Sequence, residues 1–266
     1  MKIGIIGGGN MGFTYADSFL HAEVVHPKDL HVFETNPKRL EFLHKKTNCK
    51  IHEGVNDMIK KLDLIILAIK PQNFNEVTKN LSGLITENHT ILSVMAGISL
   101  KKIAKGLNTN KVVRAMPNLP AQIGFGMTVF TSSEEVTKQD LFKIHNLINT
   151  TGKSLYVDNE TLVDAATAIS GSGPAYVYFF MDALMNSALE MGFTKSEAEL
   201  LVEQTFFGAI HLYKRKDYSF KEWIEMVSSK GGTTEAAFSV LKNKDTATDL
   251  KEAFNKAFER AKELGN

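Results

Sequence analysis

The sequence is poor in the residues that most often carry chemistry. Its 266 residues include one cysteine, Cys49. A lone thiol cannot close a disulfide within the chain, which fits a reducing compartment, and zinc sites of the usual cysteine-rich spacing are excluded. Neither sign of charge dominates: 31 Lys and Arg stand against 30 Asp and Glu, a formal net charge of +1. No basic or acidic run offers a surface to nucleic acid or to a membrane. The run "LIILAI" (64–69) is far too short for a bilayer, which needs about 20 apolar residues. No apolar leader precedes the first strand-like segment, "KIGIIG" (2–7), so a cytoplasmic protein is the expectation.

What is present is an ordinary globular composition, 43% hydrophobic and 23% charged, on a chain long enough for one large or two modest domains. Apolar strand-like runs at 2–7, 30–34, 63–69, 90–95 and 112–117 alternate with helix-compatible stretches. Segments 126–133 and 154–159 add late strands, with a helix across 134–151 between them. Short apolar strands separated by helices imply a parallel sheet covered on both faces. After residue 159 the strand signals stop and helical periodicity takes over; Leu250, Phe254, Ala257, Phe258, Ala261 and Leu264 mark one apolar stripe. The expected fold is therefore an α/β Rossmann-type, doubly wound parallel sheet domain over 1–159, followed by an all-α C-terminal dimerisation domain over 160–266. The segment from Ala175 to about Met191 is apolar nearly all round, so either deep burial or a partner chain must cover it. A homodimer built through this half is the preferred reading, with dimers able to assemble further.

Gly7-x-Gly9-x-x-Gly12 follows the first strand and opens the first helix. Gly7 suits a tight turn, Gly9 a close approach of pyrophosphate and Gly12 close packing of helix on strand; Gly8, Asn10 and Met11 complete the turn. The pattern alone is weak, but it stands in the first strand–helix turn of an alternating half-chain, the context that supports it. Glu34 ends the second strand 22 residues after Gly12, where a carboxylate binds a ribose 2′-hydroxyl and repels a 2′-phosphate. Lys38 and Arg39 follow and suit a phosphate equally well, or simply a solvated helix start, so NADP and NAD both stay open. Ala68, Ile69, Lys70 and Pro71 leave a third strand, Ala96 and Gly97 a fourth, and Pro117 and Asn118 a fifth. Ligands of open parallel sheets bind beyond the carboxyl ends of the strands, so these residues are cofactor-binding candidates; ordinary strand ends and a proline-stiffened loop are the competing readings.

The motifs "GGGNMG", "LAIKPQ", "SVMAGIS", "RAMPNLP", "AISGSGPAY" and "SSKGGTTEAA", in this order, resemble those of the Δ1-pyrroline-5-carboxylate reductase family across almost the whole chain. The resemblance implies hydride transfer from NADPH or NADH to a cyclic imine bearing a carboxylate, the last step of proline synthesis. It assigns the substrate pocket to Ser229, Gly231, Gly232, Thr233 and Thr234, with Thr234 at the position proposed to hydrogen-bond the ring nitrogen or supply its proton. It also brings Glu160 near the ring; an exposed helix-start carboxylate is the alternative. Reduction of an iminium leaves a neutral amine, so a dedicated acid is less necessary than in carbonyl reduction. None of the eight histidines stands in these motifs, and His145 and His211 read as ordinary helix residues. Backbone N–H groups at the helix start after "SSKGGTT" suit the carboxylate instead. In "SGSGP", Ser172 reads as an N-cap with Pro174 in the first turn of the long helix, a motif that can be purely architectural.

Two departures accompany the resemblance. Lys230 stands where proline is common, and Val55 where an asparagine is common, with Asn56 one position later. A reductase of β-hydroxyacid type is the first competing reading; it needs a helix-borne lysine, for which Lys195 and Lys221 are the candidates. A non-enzymatic dinucleotide-binding protein is the second. No metal site is expected.

Overall fold

The structure is a computed structural model and describes residues 1–264. Eight strands form one sheet: β1 (Ile3–Ile6), β2 (Leu30–Glu34), β3 (Lys50–Glu53), β4 (Leu64–Leu67), β5 (Thr90–Ser93), β6 (Val112–Met116), β7 (Gly126–Ser132) and β8 (Gly152–Tyr156). Their order is β3-β2-β1-β4-β5-β6-β7-β8, with the direction of winding reversing between β1 and β4. Helices α1 (Asn10–His21), α2 (Pro37–Lys46), α3 (Phe74–Leu81), α4 (Leu100–Leu107) and α5 (Lys138–Asn149) connect them.

Alternation along the strands sorts the core into two layers, as a strand's two-residue side-chain period requires. Ile3, Ile5, Leu64 and Ile66 share a cluster with Tyr15 and Phe19 of α1 and with Ile144 and Ile148 of α5. Ile6, Ile65 and Leu67 point the other way, into a cluster with Phe74 of α3 and Ile103 of α4. A sheet covered this way has no polar face, which is why β1 and β4 read as unbroken apolar runs.

The structure adds to or differs from the sequence reading in several places. Strand β7 runs antiparallel to β6, a direction the strand signals alone leave unassigned. Only residues 117–125 separate the two strands, too few for the dozen or so that a parallel crossover needs. Strand β3, "KIHE", is an additional edge strand; it is short and half polar, so it carries no apolar signal. Residues Asp57–Lys61 form a 3₁₀ turn rather than an α-helix.

Contacts divide the chain into two compact units, one of residues 1–174 with the segment from Lys256 onward, the other of Ala175–Asn255. In the first, α6 (Thr161–Ala166) packs Val163 and Ala166 against Val129 of β7. A π-helical turn, Thr167–Gly171, then leads directly into α7 (Gly173–Glu190). Ser172 has helical backbone angles (φ −83°, ψ −17°) and its N–H bonds the Thr167 carbonyl, so it is not the N-cap that "SGSGP" suggests. A true cap needs extended angles, and the π turn already satisfies the local amides.

The second unit holds the rest of α7, with α8 (Lys195–Tyr213), α9 (Phe220–Val227), α10 (Thr233–Asn243) and the start of α11 (Thr246–Glu263). Reciprocal capping boxes, Thr194 with Glu197 and Ser219 with Glu222, set where α8 and α9 begin. Despite its apolar composition, α7 buries no residue: Val177, Tyr178, Phe179 and Leu184 are all exposed in the single chain. Among the described residues, no helix is long and apolar enough to cross a membrane.

At the β2–β3 edge, the His31 and His52 rings stack, with Nδ1 of one 2.9 Å from Nε2 of the other. Burial lowers the affinity of both rings for a second proton, and for His31 the neighbouring His52 and Lys2 add to the effect. A histidine whose folded value is depressed stabilises the fold above its ordinary range, about 6.5, and loses that contribution as pH falls through the lower folded value. Urea unfolding is therefore expected to show lower stability at pH 5.5 than at pH 7.5. The difference should shrink in His52→Phe; an unchanged pH dependence in that variant would rule out the pair as its source.

Candidate active site

Segments following β1, β4, β5 and β6 all lie at one edge, because these strands are parallel and each chain leaves at its carboxyl end. At the end of β1, the three glycines serve three different needs. Gly7 has φ +97°, and a Cβ there would lie 2.7 Å from the Ala68 carbonyl oxygen. At Gly12 a Cβ would lie 1.9 Å from the Gly7 carbonyl oxygen, so only glycine lets α1 close onto the strand. A Cβ on Gly9 meets no atom within 4 Å. Nothing in the fold requires glycine at position 9, and the space beside it is open to a group approaching from outside. Gly9 caps α1 without a side-chain bond, and the first turn of α1 has no acidic residue. The first amides of the helix are thus left for a ligand at its positive end, which suits the pyrophosphate of a dinucleotide.

The other candidates of this edge take distinct places. Lys70 is exposed, directly before a 3₁₀ turn opened by Pro71. Gly97 turns the chain after β5 with φ +78°. Pro117 is buried, whereas the Asn118 amide is engaged at both ends: its Oδ1 accepts from Met127 N at 2.8 Å and its Nδ2 donates to the Ser170 carbonyl at 3.0 Å. Asn118 therefore ties its loop to β7 and to the π turn, with one N–H left over. Asn56 caps the 3₁₀ turn after β3 through Met58 N, and Val55 packs on the core.

Glu34 turns back onto the glycine turn. Its Oε2 accepts from Gly8 N at 2.8 Å, and Oε1 accepts from Thr35 N and Asn36 N at 2.7 and 2.9 Å. On the same peptide group, Arg39 donates its Nε to the Gly8 carbonyl. The guanidinium lies over Phe42, 4.2 Å from the ring centroid, and 5.7 Å from that of Phe13.

Sequence reasoning misses Arg114 altogether. This residue sits mid-strand in β6 with 2% of its surface exposed. Its Nη1 donates to Glu160 Oε1 at 2.9 Å and its Nη2 to Asp164; Glu160 Oε1 also accepts from Leu100 N at 2.7 Å. Glu160 is thus held inside an ion-pair network. An arginine inside the otherwise apolar run "VVRAMP" is the signal that could have found it, since a buried charge demands partners.

In the second unit, the turn after α9 is built almost entirely of backbone. Gly232 N bonds the Ser229 carbonyl at 3.0 Å, Gly231 has φ +74°, and Gly231 N donates to Glu235 Oε2 at 2.6 Å. Residues 229–232 therefore form a β-turn with a glycine-type third residue, and position 230 is the second residue, where proline is favoured. That accounts for proline being common there, and Lys230 occupies the place with its side chain in solvent. Thr233 and Thr234 open α10 after Gly232, which caps it without a side-chain bond. Thr234 also lines a cavity of about 330 Å³, walled by Ile210, Tyr213, Trp223, Ile224 and Phe238.

The lysines needed by the competing hydroxyacid reading are surface residues. Lys195 and Lys221 pair with Glu199 and Glu225 one helical turn away and are 80% and 87% exposed. His145 and His211 lie against Phe130 and Phe207, with ring centroids 5.4 and 4.2 Å apart.

Comparison with known proteins gives two family matches. Residues 160–264 match pyrroline-5-carboxylate reductase dimerisation, and residues 2–97 match NADP oxidoreductase, coenzyme F420-dependent. A pyrroline-5-carboxylate reductase of Synechocystis is 32% identical over 265 residues, covering 100% of this chain and 98% of the relative. Among solved structures, the Coxiella burnetii pyrroline-5-carboxylate reductase superposes with a TM-score of 0.89 at 31% identity, covering 100% of this chain and 98% of that one. The Plasmodium falciparum pyrroline carboxylate reductase, solved with NADP bound, gives 0.90 at 25% identity, with the same coverage.

Two substitutions test this geometry. Gly9→Ala should leave the urea midpoint nearly unchanged yet weaken dinucleotide binding about tenfold or more, read by nicotinamide fluorescence, whereas Gly12→Ala should lower the midpoint itself. Arg114→Ala leaves two carboxylates facing one another without their cation and should cost about 3–5 kcal/mol of unfolding free energy. A loss below about 1 kcal/mol would show that the network contributes no more than surface ion pairs do.

Proposed function

The chain belongs to the pyrroline-5-carboxylate reductase family, and on that basis we propose that it reduces the C=N bond of 1-pyrroline-5-carboxylate to give L-proline. Full-length likeness at 32% identity to a reductase of that name carries this reading. A bound NADPH or NADH supplies the hydride. Residues 1–159 serve as the dinucleotide domain, with Gly7, Gly8, Gly9, Asn10, Met11 and Gly12 receiving the pyrophosphate. Ala68 to Pro71, Ala96, Gly97, Pro117 and Asn118 line the remainder of that edge. Residues 160–266 serve as the substrate-binding and dimerisation domain of a homodimer able to assemble further, and the protein acts in the cytoplasm.

The turn at 229–234 receives the substrate's carboxylate. Support comes from its chemistry: exposed amides at the start of an eleven-residue helix, two threonine hydroxyls, and glycines that keep Cβ atoms away. The amide of Gly231 already holds a carboxylate, that of Glu235, which illustrates what the turn selects. Thr234 is assigned the hydrogen bond to the ring nitrogen. A threonine hydroxyl is too weak an acid to protonate a free amine, but an iminium arrives with its proton. The residue then has to orient the ring, and most of the acceleration comes from proximity. Glu160, whose carboxylate is bound to Arg114, remains the further substrate-binding candidate that the family resemblance assigns.

The deciding assay mixes purified protein with pyrroline-5-carboxylate and either NADPH or NADH and follows loss of the reduced-nicotinamide absorbance. Turnover is expected with at least one of them, and none with either would refute the proposal. Thr234→Ala should lower kcat/KM roughly 10- to 100-fold, the value of one hydrogen bond to a charged group. An undiminished rate would remove Thr234 from its role.

A further inference from the structure

The sequence leaves the choice of dinucleotide open, because Glu34 argues for NAD while Lys38 and Arg39 suit a phosphate. From the geometry of the Gly8 peptide we infer that Arg39 is the specificity-determining residue and that it selects the 2′-phosphorylated dinucleotide, NADPH. This rests on the dinucleotide-dependent reading given above and goes beyond it.

The case begins with what Glu34 is doing. A carboxylate that recognises an unphosphorylated ribose offers its oxygens to two hydroxyl donors. Glu34 instead accepts three backbone N–H groups, from Gly8, Thr35 and Asn36, at 2.7–2.9 Å. A carboxylate has about four acceptor sites, so one remains. The three N–H dipoles also offset much of the negative charge that would repel a phosphate. Glu34 thus serves as a brace that holds the end of β2 to the glycine turn.

Arg39 is in the complementary state. Its Nε is committed to the Gly8 carbonyl, and its plane is held by Phe42 and Phe13, which fixes the direction of the fork. Among the described residues, no carboxylate pairs with it and neither terminal nitrogen has a hydrogen-bond partner. A guanidinium kept without a counter-ion, rigidly stacked beside the turn that binds the pyrophosphate, is suited to a bidentate phosphate contact. Its stacking also lowers the side-chain entropy lost on binding. Lys38, exposed on the preceding residue, adds a second positive charge at the start of α2, where Pro37 has no N–H and that of Arg39 is taken by Asn36 Oδ1 at 3.2 Å. The carboxylate of Glu34, which touches the glycine turn itself, is the one already occupied by three amides.

The test separates binding from turnover. Titration calorimetry with 2′,5′-ADP and with 5′-ADP needs no substrate, so it reads the inference even if the proposed reaction fails. The protein should bind 2′,5′-ADP at least about tenfold more tightly, as expected for one strong charge-assisted contact. Arg39→Met keeps an unbranched side chain over the two phenylalanines and removes the charge; it should abolish that preference while changing 5′-ADP affinity less than about threefold. In the turnover assay the same variant should lose kcat/KM with NADPH and retain it with NADH. Equal losses for both ligands would assign Arg39 to bracing the Gly8 carbonyl alone, and tighter binding of 5′-ADP by the native protein would return the selection to Glu34. Either result would overturn the inference.

Discussion

One buried cation organises the first unit. Arg114 lies in the middle of β6, flanked along the strand by Val113 and Ala115 and paired across the sheet with Ser93 and Thr131, and its charge is tolerated there because Glu160 and Asp164 reach it from the start of α6. Desolvating a guanidinium is expensive, and two carboxylates with further hydrogen bonds are what make it tolerable. The consequence is positional. Glu160 also accepts from the first residue of α4, so one carboxylate sets the spacing between strand, helix start and α6. The π turn and the Asn118 loop follow from that placement, since Asn118 bonds the Ser170 carbonyl just beyond α6. A network of this kind contributes less to net stability than to a single defined arrangement of the strand ends.

Much of this plan is legible in the residues. The alternation of apolar runs and helices, the glycine turn and the loss of strand signal after 159 all follow from local periodicity, and the structure has each of them. The parts that escape are those decided by partners rather than by pattern. β3 is too short and polar to announce itself, and it forms because β2 offers an unpaired edge. The direction of β7 depends on the length of a connection, which a strand-by-strand reading does not weigh. Ser172 looks like a cap until the π turn removes the need for one. Arg114 is visible as a charge in an apolar run, but its carboxylates lie 46 and 50 residues away.

The site shows the same division. Positions that need glycine or a helix start can be read from sequence, because backbone geometry dictates them. The state of a side chain cannot. Glu34 and Arg39 stand where a sequence reading finds two opposed signals, and only their hydrogen bonds distinguish a satisfied carboxylate from a stacked, unpaired guanidinium. The turn at 229–234 makes a related point. Its chemistry resides in amides, and Lys230 in place of proline both loosens the turn and adds a backbone N–H that proline lacks.

The uncovered face of α7 has a consequence on the scale of the cell rather than the site. In one copy of the chain, Tyr178, Phe179 and Leu184 are in water, in a region that matches a dimerisation family. Where a second copy covers such a face, the native state of this half is favoured by abundance: doubling the amount of chain shifts the balance, as an added ligand would. Newly made chains then stay open to proteolysis longest when they are scarce. Gene dosage and rate of synthesis thereby become determinants of folding yield as well as of total activity.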